Sequence, residues 1–127
     1  MSYFYARRVD GEFAAVADRV REALKANGFG VLTEIDVSDT LRSKIGADFR
    51  PYLILGACNP RMAHEALQME PNVGVFLPCN VIVQQADGAV EVAAVDPVAS
   101  MQAIPNPELA HHAGAVGEAL RRAVDAV

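Results

Sequence analysis

The chain has 127 residues, 52 % hydrophobic and 21 % charged. That fits one domain over 1–127, able to bury about two-thirds of the surface its unfolded form exposes, and excludes disorder. Its 11 basic and 16 acidic side chains leave a formal net charge of −5, with the basic residues scattered along the chain, which argues against nucleic acid as a partner because phosphate binding starts from a positive footprint.

In chain order, 3–8 alternates weakly and reads as a first strand. Asp10-Gly11 then opens a helix with Phe13, Val16, Ala17, Val20 and Leu24 on one face, intervals of three and four that define a buried side. Asn27-Gly28 stops it, since both residues tolerate the left-handed conformation of a helix end. Phe29, Val31, Thr33 and Ile35 alternate as a second strand. Ser38 is the expected cap of a short helix carrying Leu41 and Ile45 and ending at Gly46. Tyr52-Leu53-Ile54-Leu55, bounded by Pro51 and Gly56, is a continuous apolar run suited to a central strand buried on both faces.

Three dipeptides, Asn59-Pro60, Asp96-Pro97 and Asn106-Pro107, repeat one device. The Asn or Asp side chain caps the first amides of a helix, and proline takes the first helical position, where its missing N–H costs nothing. The first helix runs from Pro60 to Met69 and is expected to bury Ala63, Ala66 and Leu67. The second is a short turn reaching Met101. The last carries Leu109, Ala113, Val116, Leu120, Val124 and Val127 on one stripe. Between the first two of these helices, 74–85 and 90–95 read as strands joined through Asp87-Gly88, the signature of a tight hairpin with positive φ. Helices and strands mix without strict alternation, so the expected class is α+β: a two-layer sandwich of a mixed or antiparallel sheet of about five strands packed by helices.

No segment is apolar for the roughly twenty residues a spanning helix needs. The N-terminal basic pair Arg7-Arg8 follows the apolar residues, the reverse of a secretory signal. The expectation is a cytoplasmic protein without a membrane partner, in which two cysteines remain reduced.

Those cysteines carry the chemical interest. Cys58 ends the apolar strand and precedes the helix that Asn59 caps, a position near unpaired amides and the positive end of a helix dipole that lowers a thiol's pKa. Cys79 follows Pro78 within an apolar run; proline inside a strand implies an edge, a bulge or a break, which would turn Cys79 and Asn80 toward a cavity. Against both stands simple burial, the commonest fate of a free cysteine. His64, one turn into the helix after Asn59-Pro60, is the histidine that faces the space beyond Cys58 on this reading. His111 lies opposite the apolar stripe of the last helix and His112 on its flank, so both read as surface groups. Cys58, Cys79, His64 and Met101 together form a soft-ligand set suited to copper(I) or zinc, yet the spacing matches no standard metal signature and no metal is assigned. No nucleophile elbow or phosphate loop is present, and Gly28-Phe29-Gly30 lacks the third glycine of a dinucleotide fingerprint.

The stretches 28–37, Ile54-Leu55-Gly56-Ala57-Cys58-Asn59-Pro60, Leu77-Pro78-Cys79-Asn80-Val81 and Asp96-Pro97 with Met101 together resemble the prokaryotic family catalogued as domain of unknown function 302. The resemblance covers nearly the whole chain. It implies a small α+β domain that associates as a dimer, highlights Gly56, Cys58, Asn59, Pro60, Pro78, Cys79 and Asp96, and supplies no substrate, cofactor or catalytic role. Three readings follow. The preferred one is a homodimeric small-ligand-binding domain with a pocket framed by Cys58, Asn59, His64, Cys79, Asn80 and Met101. The second is a thiol-based redox or soft-metal-handling protein using Cys58 and Cys79. The third is a structural or protein-interaction module.

Overall fold

Five strands pair in the spatial order β1-β5-β4-β3-β2, every neighbour antiparallel: β1 (Phe4–Val9), β2 (Gly30–Asp36), β3 (Tyr52–Cys58), β4 (Cys79–Ala86) and β5 (Ala89–Val95). The computed structural model describes residues 2–127. The helices are α1 (Phe13–Ala26), α2 (Val37–Ile45), α3 (Pro60–Met69), α4 (Pro97–Ser100) and α5 (Pro107–Asp125), with a 3-10 turn over Pro71–Phe76. The expected α+β sandwich is the observed fold, and its sheet is wholly antiparallel.

Strand parity decides which residues meet the helices. Leu55 and Ala57 on β3, Val81 and Val83 on β4, and Val90 and Val92 on β5 point to one side, where they join Val16, Val20 and Leu24 of α1 and Val116, Leu120 and Val124 of α5 in one buried cluster. A smaller cluster of Ala66, Val73, Met101, Leu109 and Ala113 lies where α3 and α4 meet α5. Two polar contacts fix the helix layer to the sheet edges. Arg7 of β1 donates to the Asp125 and Val127 carbonyls at the end of α5, at 2.9 and 3.2 Å, a favourable place for a cation against the helix dipole. Arg21 of α1 bridges Glu34 of β2 at 2.6 Å and Asp18 at 2.8 Å, and its hydrogen bond holds the Glu34 carboxyl below its ordinary pKa.

The three Asx-Pro starts form as expected. Asn59 caps Met62 N–H, Asp96 caps Val98 N–H, and Asn106 caps the Glu108 and Leu109 amides. The hairpin turns at Asp87 and Gly88 with φ of 48° and 79°.

Elsewhere the structure corrects the expectations. Glu12 caps α1, so Asp10-Gly11 stays outside it. Asp36 takes the cap expected of Ser38, because its carboxylate reaches Asp39 N–H at 2.9 Å while Ser38 donates to that same carboxylate. The middle strand is β4, and β3 lies second from the edge. Residues 74–76, expected in the strand, belong to the 3-10 turn instead; β4 begins at Cys79, and Pro78 precedes the ladder rather than breaking it. Leu67, expected in the core, is 44 % exposed.

Leu55 has no exposed surface. Leu55→Ala is therefore expected to lower stability by about 2–5 kcal/mol, measured as a shift of the urea midpoint at unchanged m.

Candidate functional site

The register of β3 with β4 sets Ala57 directly opposite Cys79. The end of one cysteine motif thus adjoins the beginning of the other, although twenty residues separate them in the chain. At this end of the sheet α3, α4 and α5 converge over a cavity of ≈ 30 Å3. Ala57, Cys58, Asn59, Cys79, Met101 and His112 are among the residues that line it, with Met62 and Pro78 beside them. The remaining lining is apolar, and the volume suffices for about one or two water-sized guests.

Cys79 is 6 % exposed. Burial, followed by the nearby Cys58, pushes its thiol up to about 11, because a thiolate loses hydration in a low-dielectric surrounding. Cys58 is half-buried, and both cysteines are free. They are not cross-strand partners, since Cys58 pairs with Gly30 of β2, yet both line the same cavity.

Two polar atoms of the lining have hydrogen-bond partners. Asn59 Oδ1 accepts from Met62 N–H at 3.1 Å. The His112 side chain is 10 % exposed; its Nε2 lies 2.8 Å from the Met62 carbonyl and its Nδ1 lies 3.6 Å from Glu65 Oε2. A carbonyl only accepts, so Nε2 carries the proton. The hollow also gathers sulfur: two thiols and the Met62 and Met101 thioethers. Among the described residues no group of three or more His, Cys, Asp or Glu side chains is arranged to hold a metal ion.

Of the six residues singled out in the sequence, Cys58, Asn59, Cys79 and Met101 meet at this cavity and two do not. His64 is exposed on α3 and is absent from the lining. Asn80 follows Cys79 in the ladder and therefore faces the other side of the sheet, in a separate groove with Tyr52, Ile82 and Gln84. The histidine at the site is His112, expected at the surface. Its signal was present, because Leu109, His112 and Val116 repeat at three and four residues along α5, as Met62, Ala66 and Met69 do along α3. His111 is exposed, as expected.

Gly56 and Gly28 keep the surroundings close-packed. A Cβ at Gly56 would strike Thr33 Oγ1 and sit 2.8 Å from Pro78 Cγ, so only glycine lets β2 and Pro78 close over β3 there. Gly28 has φ +88°, and a Cβ there would lie 3.0 Å from Asn59 Nδ2.

The family model described as "Domain of unknown function DUF302" matches residues 5–127. The chain belongs to this family. A solved structure of an uncharacterized conserved DUF302 protein from Bacillus stearothermophilus is similar at 32 % identity, covers 98 % of each chain and superposes with a TM-score of 0.93. Among curated proteins none matches the chain. No helix of the described residues of this DUF302 domain is long and apolar enough to cross a membrane.

Since the Cys79 pKa lies higher in the folded chain than the ordinary thiol value of 9.0, its contribution to stability is complete below about pH 9. It is expected to disappear as pH rises through about 11, with a slope of up to about 1.4 kcal/mol per pH unit. Urea unfolding of the wild type and of Cys79→Ala across that range checks this, the variant lacking that part of the decline.

Proposed function

We propose that this DUF302 domain binds a compact, uncharged group in the cavity beside Cys58 and Cys79. The observation that carries the reading is that a mostly apolar hollow remains among α3, α4 and α5, lined by thiol and thioether sulfur, with Asn59 Oδ1 and His112 Nε2 already hydrogen-bonded. An apolar hollow penalises a charged guest, and ≈ 30 Å3 is far below the roughly 300–1,000 Å3 of a drug-sized pocket. The guest is a few atoms, or the end of a longer molecule. A thermal-shift screen of fragment-sized neutral compounds is expected to yield stabilisers, with about 2.7 kcal/mol gained at a hundredfold excess over Kd. Ala63→Leu, which fills the cavity from α3, is expected to abolish the effect. A screen without stabilisers, or shifts that survive Ala63→Leu, would count against the reading.

The thiol-redox reading is weaker. A disulfide forms when both thiols lose a proton and two electrons pass to an oxidant, and the resolving sulfur reacts as thiolate. With its pKa at about 11, Cys79 is thiolate in only about one molecule in ten thousand at pH 7. For copper(I) or zinc handling by the same pair, no group of three or more His, Cys, Asp or Glu side chains is arranged around a common point among the described residues.

Self-association has its own support. Across β1, β5 and β4 the sheet face opposite α1 and α5 carries Phe4, Ile82, Ala93 and Val95 beside Tyr3 and Tyr52, around a groove of ≈ 390 Å3. Phe4 is 41 % exposed and Tyr3 71 %. Five strands at ~4.8 Å spacing and about six residues long span roughly 24 by 20 Å, the scale of the ~800 Å2 per partner in a standard interface. A second copy meeting this face in an isologous contact is the favoured partner. Ile82→Arg is expected to turn a dimer into a monomer by light scattering, with the circular dichroism spectrum unchanged; a wild-type monomer at micromolar concentration would refute the assignment.

A further inference from the structure

The cavity beside Cys79 and an open groove of ≈ 650 Å3 between α3 and α5 have two lining residues in common, Met62 and His112. These side chains therefore stand between the interior hollow and the surface. His112 projects from α5 and is held by one short hydrogen bond to the Met62 carbonyl of α3, 2.8 Å long, and it leans toward Glu65 on the outer side. Met62 is half-buried and unbranched, a side chain that changes rotamer at little cost.

We propose that Met62 and His112 form the gate through which a guest passes from the α3–α5 groove to the Cys79 thiol, and that groove and cavity are the outer and inner parts of one binding site. This rests on the ligand-binding reading above and specifies its route and ligand. The inner part accepts a compact, uncharged, thiol-reactive or apolar end. The groove lodges the remainder of the molecule, against the thioether of Met69 and between Glu65 and Glu108. Two carboxylates at the entrance repel an anion, so the ligand class is a neutral or cationic molecule with an apolar tip. The size relation fits: a guest too long for ≈ 30 Å3 has ≈ 650 Å3 of adjoining groove.

The test reads the rate at which Cys79 is modified in the full chain carrying Cys58→Ser, so that a single thiol reports. Methanethiosulfonates with a neutral, a cationic or an anionic tail are the probes. Each transfers its alkylthio group to the Cys79 thiolate, forming a mixed disulfide and releasing methanesulfinate. With the neutral reagent, His112→Ala is expected to raise the rate about tenfold by removing the bond that closes the gate. Met62→Trp is expected to lower it about threefold by obstructing the passage; a variant that merely loosened the fold would raise the rate, so a decrease isolates the route. Val20→Ala, in the core between α1 and the sheet, controls for stability and is expected to change the rate far less than His112→Ala. The anionic reagent is expected to react several-fold more slowly than the neutral and cationic ones.

If Cys79 reacts from the folded state but both gate variants match the parent, the proposed route is wrong while the cavity reading stands. If Cys79 reacts only at the rate of global unfolding, set by a denaturant series, the cavity is closed to guests and both fall. Equal rates for anionic and cationic reagents overturn the assignment of ligand class.

Discussion

The backbone ladder between β3 and β4 is the constraint on which the candidate site depends. Antiparallel pairing in the register that opposes Ala57 to Cys79 makes the last residues of one strand neighbours of the first residues of the other. The chain between them must leave and return at the same end of the sheet, and it does so as α3 and the 3-10 turn. A shift of one residue would exchange the faces of β4. It would move Cys79, Val81 and Val83 out of the core and bring Asn80, Ile82 and Gln84 into it. The hydrophobic cost of that exchange fixes the register, so the position of the thiol follows from the burial of two valines with no exposed surface.

The same geometry explains the character of the hollow. Its walls come from helix starts capped by Asn59, Asp96 and Asn106, whose side chains are occupied in holding backbone amides. Alanines at 57, 63, 66 and 113 line it and leave room that larger side chains would fill. What remains is a sulfur-lined space in which a thiol stays protonated far above neutrality. The burial that disfavours a thiolate there disfavours any unpaired charge for the same reason. On the far side of the sheet, apolar strand positions are left without a covering helix across β1, β5 and β4.

Much of this was legible from residue order. The capping pairs at 59–60, 96–97 and 106–107 each name a helix start by one local hydrogen bond, the Asp87-Gly88 turn depends only on its own φ values, and the α5 stripe depends only on helical spacing. Errors arose where local signals competed. Asp36 takes the amide expected to be capped by Ser38, and 74–76 are apolar enough for a strand but wind into the turn that connects α3 to β4. The site was half legible. Cys58, Asn59, Cys79 and Met101 were named from their motifs and meet; His64 and Asn80 were named by proximity in sequence and do not. Proximity is misleading there because neighbouring residues point about 100° apart on a helix and to opposite faces on a strand. His112 was discounted because it flanks its helix stripe, and only the approach of α3 turned that flank into an interior wall.

The amino-acid sequence by itself determined the element types, the capped helix starts, the hairpin and the family, because each rests on contacts between residues a few positions apart or on the pattern of the chain read end to end. Tertiary structure alone decided the strand order, the choice of His112 over His64 and the small size of the cavity. Those depend on which faces pack together, a long-range outcome set by the summed burial of the whole sheet and its helices, to which no single segment holds the key.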